Sequence, residues 1–422
     1  MRVLHLTAGT GSYHCGSCIR DNALVAALQA LGHEALLVPL YLPLVVDGED
    51  CSVDQPLFLG GINTYLQQNM PLFRRVPGWV NRVLDARPIM KRVVGVASLT
   101  NPVDLGEMTL SLLQGFGGHQ AAEIRRLAAW IRDDIQPDVV VMSNGLLAGV
   151  GVAIRELCGV KVVCTLQSEL HFVDGLLEPH RGQVWTQMAA ALQNLDGVVA
   201  VSEYCKEQTS KRCGLAADDI CVIPSGLDIR SFKPRETHHA PPVLGYFARL
   251  SEEKGALVAL QAFESLRQRA GLTDLRLHMG GSVAPGGQSF VNTLTTAASD
   301  LQAVHIASNL STAEKATFFQ GMSVLCVPGR MHEVAGLYVI EALASGVPVV
   351  AAGEGGAGEL IRATGGGLTY SASKPSAMID ALETVLTDPA LQLELGTRGQ
   401  AYVQREHTAR AMAKRWLDYL EA

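Results

Sequence analysis

A chain of 422 residues is too long for one ordinary core and predicts two domains of about 100–200 residues each. Hydrophobic residues make up 48% and charged residues 18%, which excludes a disordered chain, and a net charge of -7 lacks the basic footprint of a nucleic-acid binder. Nine scattered cysteines read as a reduced, cytoplasmic protein rather than a disulfide scaffold. The opening Met1-Arg-Val-Leu-His-Leu reads at once as a buried strand, so no signal peptide is expected. The longest apolar stretch, over residues 139–154, falls short of the roughly 20 residues of a membrane span.

Short apolar runs alternate with longer helical patterns, as in parallel α/β units. A strand over residues 3–6, a glycine-bearing turn, a helix over 21–31 and a strand over 34–39 make the first unit, with Gly32 closing the helix. Residues 71–94 are basic and amphipathic: Arg74, Arg75, Arg82, Arg87, Lys91 and Arg92 stand against Asp85, with Phe73 and Trp79 among the apolar residues. Such a segment suits an anionic membrane surface, an acidic acceptor, or packing on its own domain. Strands over 139–142, 162–166, 198–202 and 220–224 complete a first domain, residues 1–228. Residues 229–242, rich in proline and histidine, read as a linker.

A second series then fills residues 243–404: strand 243–247, helix 256–267, strand 275–279, helix 313–320, strand 324–327, helix 336–344 and strand 347–352. Residues 405–422 hold a last helix with Ala409, Met412, Ala413, Trp416, Leu417 and Leu420 on one face. That face is expected to pack back on the first domain.

Unusual residues concentrate between Pro328 and Glu359. A strand ends at Pro328, a loop carries Glu333, and Gly336 opens a helix that holds Glu341 about one turn in. Ligands of open α/β sheets bind at such strand ends. The amides of Gly336, Leu337 and Tyr338, with the helix dipole behind them, suit a diphosphate. Glu333 and Glu341 can accept hydrogen bonds from sugar hydroxyls, although two glutamates eight apart also occur as an ordinary solvated pair. After the strand at 243–247, Arg249 and Lys254 stand one loop apart where an anionic leaving group would sit, or else are surface cations beside Glu252 and Glu253.

The first half offers looser signals. Gly9 and Gly11 allow a close backbone approach to a ligand, but the third glycine of a dinucleotide fingerprint is not at the required spacing. Cys15 and Cys18 form a Cys-x-x-Cys beside His14, open to redox, metal and plain packing readings; a structural zinc would need two further ligands. Gln167 and His171 follow the strand at 162–166, where either can hydrogen-bond a ligand, and His171 can equally be a satisfied loop histidine.

The run Glu333-Val-Ala-Gly-Leu-Tyr-Val-Ile-Glu341-Ala-Leu-Ala-Ser-Gly-Val-Pro-Val-Val resembles the signature of the family 4 glycosyltransferases, with Ala335 where a phenylalanine commonly stands. Gly245-Tyr-Phe-Ala-Arg249-Leu-Ser-Glu-Glu-Lys254-Gly255 is similar to the same family, as are Val222-Ile-Pro-Ser-Gly-Leu-Asp228 and Gly355-Gly-Ala-Gly-Glu359. The resemblance is close over residues 220–400 and loose before them. It implies an α/β, GT-B architecture: two facing Rossmann-like domains with parallel sheets and an interdomain cleft, the first binding acceptor and the second the nucleotide sugar. It implies a retaining, metal-independent glycosyltransferase that needs no cofactor, moving a sugar from a nucleoside-diphosphate sugar to a hydroxyl acceptor on a glycan, lipid or small molecule. Arg249 and Lys254 would hold the diphosphate, Glu333 the transferred sugar and Glu341 the ribose. Gly9 and Gly11 would face donor phosphate and acceptor, and Gln167 stands near the place of a histidine that family members often carry. The family does not usually carry the Cys15–Cys18 pair. Its lipid-acceptor members lead to the expectation of peripheral contact with the inner membrane surface through residues 71–94. An epimerase or phosphorylase on the same fold is the nearest rival reading, ahead of a nicotinamide-dependent oxidoreductase and a non-enzymatic sugar-binding protein.

Overall fold

The computed structural model describes residues 1–9, 15–46, 49–53, 58–59, 102–167, 169–234, 239–329 and 332–422. Gly11, His14 and the basic stretch 71–94 lie outside them. The chain divides into two compact units, Met1–Pro224 with Arg415–Ala422, and Ser225–Lys414.

In the first unit the chain runs β1 (Arg2–Thr7), α1 (Gly16–Ala30), β2 (Glu34–Pro39), α2 (Pro102–Leu113), α3 (Ala121–Trp130), β3 (Val139–Met142) and α4 (Ala148–Cys158). It continues through β4 (Lys161–Leu166), α5 (Glu169–Asp174), α6 (His180–Leu192), β5 (Gly197–Ala200), α7 (Glu203–Cys213) and β6 (Ile220–Val222). The strands make one parallel sheet in the order β2-β1-β3-β4-β5-β6. Runs such as Val139-Val-Val-Met142, buried at every position, are what a sheet covered on both faces requires. The end of the chain joins this unit: Lys161 Nζ donates to the Leu420 carbonyl at 3.0 Å, and Trp416 is buried.

Helix α1 begins at Gly16, five residues ahead of the sequence reading, with the Ile19 amide donating to the Cys15 carbonyl at 3.0 Å. Glycine, serine and cysteine are weak helix formers, so this first turn leaves no periodic trace.

The second unit contains β7 (Val243–Phe247), α8 (Ala256–Arg267), β8 (Arg276–Gly281), α9 (Gln288–Ala298), β9 (Val304–Ser308), α10 (Thr312–Gln320) and β10 (Val324–Val327). There follow α11 (Leu337–Ala344), β11 (Val349–Ala352), α12 (Gly355–Thr364), β12 (Gly367–Tyr370), α13 (Pro375–Thr387), α14 (Pro389–Glu406) and the start of α15 (Ala409–Glu421). Its sheet is again parallel, in the order β12-β11-β10-β7-β8-β9. From β7 the chain builds outward to β9, then returns to place β10 on the other side of β7. The connections leaving β7 and β10 therefore diverge, and this switch point is where such a sheet opens a crevice. Strand β11 is shorter than the sequence suggests because Pro348 has no N–H for the ladder, although its carbonyl accepts the Leu325 amide at 2.9 Å. The apolar face foreseen on the last helix is buried at Met412, Ala413, Trp416 and Leu420.

Candidate active site

The loop after β7 carries Arg249 and Lys254, and the loop after β10 carries Glu333, so these side chains flank the switch point. Gly255 holds φ +76 between Lys254 and α8, and a Cβ there would lie 2.7 Å from the Pro328 Cβ. Only glycine lets the Lys254 loop press so closely on the end of β10. Lys254 Nζ then reaches Glu333 Oε1 at 2.7 Å, with the two side chains 18% and 11% exposed. The Tyr338 hydroxyl donates to the same oxygen at 2.9 Å. Burial and the Glu333 charge push the Tyr338 phenol well above its ordinary range, so it stays a donor.

The backbone of Glu333 is fixed from a third side. The Gly356 amide at the start of α12 donates to the Glu333 carbonyl at 2.6 Å, and a Cβ on Gly356 would stand 2.1 Å from the Val334 carbonyl oxygen. Gly355 and Gly356, visible in the sequence only as part of a family-like turn, are the seat of the Glu333 loop.

Gly336 holds φ +62 at the N-cap of α11, and its carbonyl accepts the Val339 amide at 2.8 Å. The amides of Leu337 and Tyr338, at the first two helical positions, have no intrahelical acceptor and lie beside Glu333 in sequence. Together with Lys254 they supply fixed positive potential for an anion. Arg249 is placed differently. Its contact with Glu253, 3.2 Å between Nη2 and Oε2, joins side chains 40% and 61% exposed, and an ion pair so exposed contributes little. The guanidinium can leave it at small cost to meet a ligand phosphate.

Glu341, one turn into α11, is buried and paired with a residue the sequence reading missed. Lys315 Nζ lies 2.8 Å from Glu341 Oε1, with side chains 10% and 8% exposed. Lys315 comes from α10, whose start is set by a capping box: Ser311 Oγ accepts the Glu314 amide and Glu314 Oε2 accepts the Ser311 amide. A signal was present, since Lys315 stands four residues before the fully buried Phe319 and so on the inward face of its helix.

In the first unit Gln167, foreseen after β4, joins a buried polar network. The Gln167 side-chain amide donates to the Ser143 carbonyl at 2.6 Å and lies 3.4 Å from Asp21 Oδ1. Asp21 also accepts from Thr7 Oγ1 at 2.9 Å and Arg20 Nη1 at 3.0 Å, and faces His5 Nε2 at 3.3 Å. All of these side chains are buried. Burial raises the Asp21 carboxyl, but His5, Arg20 and Thr7 outweigh it and leave the pKa below its ordinary 3.8. Glu169 accepts the Gln167 and Gly145 amides, at 2.7 and 2.5 Å, and burial still pushes its carboxyl upward. Gln167 is thus held by its own domain. His171 is half-buried on α5. Gly9 keeps φ +77, and a Cβ there would stand 1.7 Å from the Leu42 carbonyl oxygen, so contact with its own chain already accounts for this glycine. Cys15 and Cys18 sit at the start of α1. Among the described residues no group of three or more His, Cys, Asp or Glu could hold a metal ion, and no helix is long and apolar enough to cross a membrane.

Two family descriptions match the chain: "Glycosyl transferases group 1" over residues 228–402 and "Glycosyltransferase Family 4" over residues 101–231. The D-inositol 3-phosphate glycosyltransferase of Pseudarthrobacter chlorophenolicus is 27% identical over 293 residues, 65% of this chain and 68% of that protein. Two other curated relatives are spanned over slightly less of their own length, 65% and 61%. Sucrose-phosphate synthase from Thermosynechococcus elongatus superposes with a TM-score of 0.71 at 19% identity, covering 100% of this chain and 98% of that one. Anabaena Alr3699/HepE, solved in complex with UDP and glucose, superposes with a TM-score of 0.67 at 16% identity over the whole of both chains. Both are the GT-B fold, two α/β units each with a parallel sheet. Residues 101–402 are covered without a break by the two glycosyltransferase family descriptions, and the chain is a glycosyltransferase of this type.

Proposed function

We propose that the protein is a retaining, metal-independent glycosyltransferase that moves a sugar from a nucleoside-diphosphate sugar to a hydroxyl acceptor. The observation that carries this reading is the Lys254–Glu333–Tyr338 cluster beside the N-terminus of α11, at the switch point of the second sheet. Cleavage of the bond between the anomeric carbon and the phosphate leaves a diphosphate anion. Lys254, the α11 amides and a recruited Arg249 are placed to stabilise that charge as it develops. Glu333, with Oε1 already committed to Lys254 and Tyr338, offers Oε2 to a sugar hydroxyl. Glu341, fixed by Lys315, offers an acceptor to the ribose.

In this scheme the sugar passes through an oxocarbenium-like state. The acceptor hydroxyl attacks the face the diphosphate leaves, and its proton passes to the departing phosphate oxygen. The protein's share is orientation and electrostatics rather than a dedicated carboxylate base. Inositol phosphate and glucose, named with the similar proteins, indicate polyol acceptors and hexosyl donors as the first compounds to try.

The test is thermal stabilisation by a panel of nucleoside diphosphates and nucleotide sugars, UDP and UDP-glucose included, with and without EDTA. Wild type should be stabilised by one diphosphate with EDTA present, while Glu341→Ala and Arg249→Ala lose the shift. A product whose anomeric configuration is inverted by NMR, or a binding shift that needs added magnesium, would contradict the corresponding part of the proposal. A panel in which nothing binds would overturn it.

A further inference from the structure

Glycosyl transfer as described makes no use of the cysteine pair at the start of α1. Cys15 is the N-cap of that helix, with extended backbone at φ -108 and ψ 128, and Cys18 lies three residues on, within the first turn. Helix geometry puts Cα atoms at this spacing about 5 Å apart, inside the roughly 4.4–6.8 Å that a disulfide spans. Cys15 is partly exposed and Cys18 is 2% exposed. Cys18 is the more deeply buried of the two.

Electrostatics separates Cys15 from most of the other cysteines. Helix α1 has 15 residues and no acidic residue in its first turn, so its N-terminal amides favour negative charge on a nearby sulfur. The hydrogen bond from Cys18 brings the Cys15 thiol down to about 6, against the effect of burial. The same bond, with burial, holds Cys18 far above its ordinary range. Burial pushes Cys51, Cys158, Cys164, Cys213, Cys221 and Cys326 upward as well. At neutral pH the thiolate among these residues is Cys15.

We propose that Cys15 and Cys18 are a redox-active dithiol, which a low-molecular-weight disulfide such as oxidised glutathione converts to a reversible intramolecular disulfide. The Cys15 thiolate attacks one sulfur of oxidised glutathione and displaces one glutathione thiolate, leaving a mixed disulfide on Cys15. Cys18 then loses its proton to solvent and attacks Cys15 Sγ, expelling the second glutathione as a thiolate. Two protein thiols are oxidised, one glutathione disulfide is reduced to two glutathiones, and excess glutathione reverses both steps. The pair lies at the carboxyl edge of the first sheet, just past the end of β1, where oxidation ties the start of α1.

The experiment uses the full chain at pH 7 in glutathione buffers of graded ratio, followed by acid quenching, alkylation and peptide mass mapping. The peptide holding residues 15 and 18 should lose two hydrogens while Cys51, Cys158 and Cys221 are still alkylated, and excess glutathione should restore both thiols. Alkylation of Cys15 should rise with pH around a midpoint near 6. In Cys18→Ser the reaction should stop at a glutathione adduct on Cys15. Separate alkylation of Cys15 and Cys18 at ratios that already modify Cys51 overturns the proposal, as does a Cys15 that titrates with the other thiols. The wild-type mapping decides the matter even if the variant fails to fold.

Discussion

Lys315 and Glu341 meet from two different helices, α10 and α11, with Nζ 2.8 Å from Oε1 and both side chains about nine-tenths buried. Two charges taken out of water attract strongly but also lose their hydration, so such a pair adds little net stability. Removing one partner is another matter, because the survivor is left buried and uncompensated.

Lys315→Met is therefore expected to lower the unfolding free energy by about 3–5 kcal/mol. Joined with Glu341→Gln, it should cost clearly less than the two single changes added together. Urea denaturation of the four proteins measures this coupling. If Glu341 fixes the ribose, folded Lys315→Met should raise the donor KM more than it lowers kcat, and Lys315→Arg should restore much of the loss. Strict additivity in the cycle would show that the ion pair does not hold Glu341 in place.

Around Glu333 the two donors to Oε1 should separate by charge. Tyr338→Phe removes one neutral donor and should cost about 0.5–1.5 kcal/mol of transition-state stabilisation, roughly a two- to tenfold loss in kcat/KM. Lys254→Ala removes a cation at the leaving group and should cost roughly 10²–10³-fold in kcat. Steady-state kinetics compares the two, and similar small effects would remove Lys254 from its proposed role.

Gly356→Ala tests the seat of the Glu333 loop without touching a charged group. The added methyl would meet the Val334 carbonyl at 2.1 Å, so the loop must move and Glu333 with it. Activity should fall at least tenfold while nucleotide diphosphate binding weakens less, read by kinetics beside calorimetry. Unchanged kcat would show that the loop tolerates the displacement.

Acid stability is expected to depend on Asp21. Its pKa is lower in the folded state than its ordinary 3.8, so between the two values the unfolded chain binds the extra proton. The stabilisation is present above that ordinary value and is lost as pH falls through it toward the folded one. Wild type should lose stability progressively below about pH 4, and Asp21→Asn should be weaker at neutral pH with a shallower decline in acid. Denaturant midpoints between pH 2 and 7 check both slopes.

The two sheets were legible because parallel strands buried on both faces must read as apolar runs, and Val139–Met142 and Val324–Val327 do so. Glu333 and Glu341 were legible as candidates for a different reason: glycine and carboxylate stand at fixed offsets around one helix start. The start of α1 was not legible, since Gly16 and Ser17 carry neither helix propensity nor periodicity. Arg20 and Asp21 were passed over because charged residues on a helix are usually solvated, and nothing local shows that β1, β3 and β4 converge on them.

By itself, then, the sequence determined the alternation of strands and helices, the two-domain division and the offsets of the residues around α11, all of which are set by spacing within a short stretch of chain. Tertiary structure decided the partners. Lys254 meets Glu333 across 79 positions, and Gln167 lies against Asp21 across 146. Which side of β7 receives β10 depends on the burial of whole sheet faces rather than on any local pattern. That choice sets which loops face each other, and so which charges are paired before a substrate arrives.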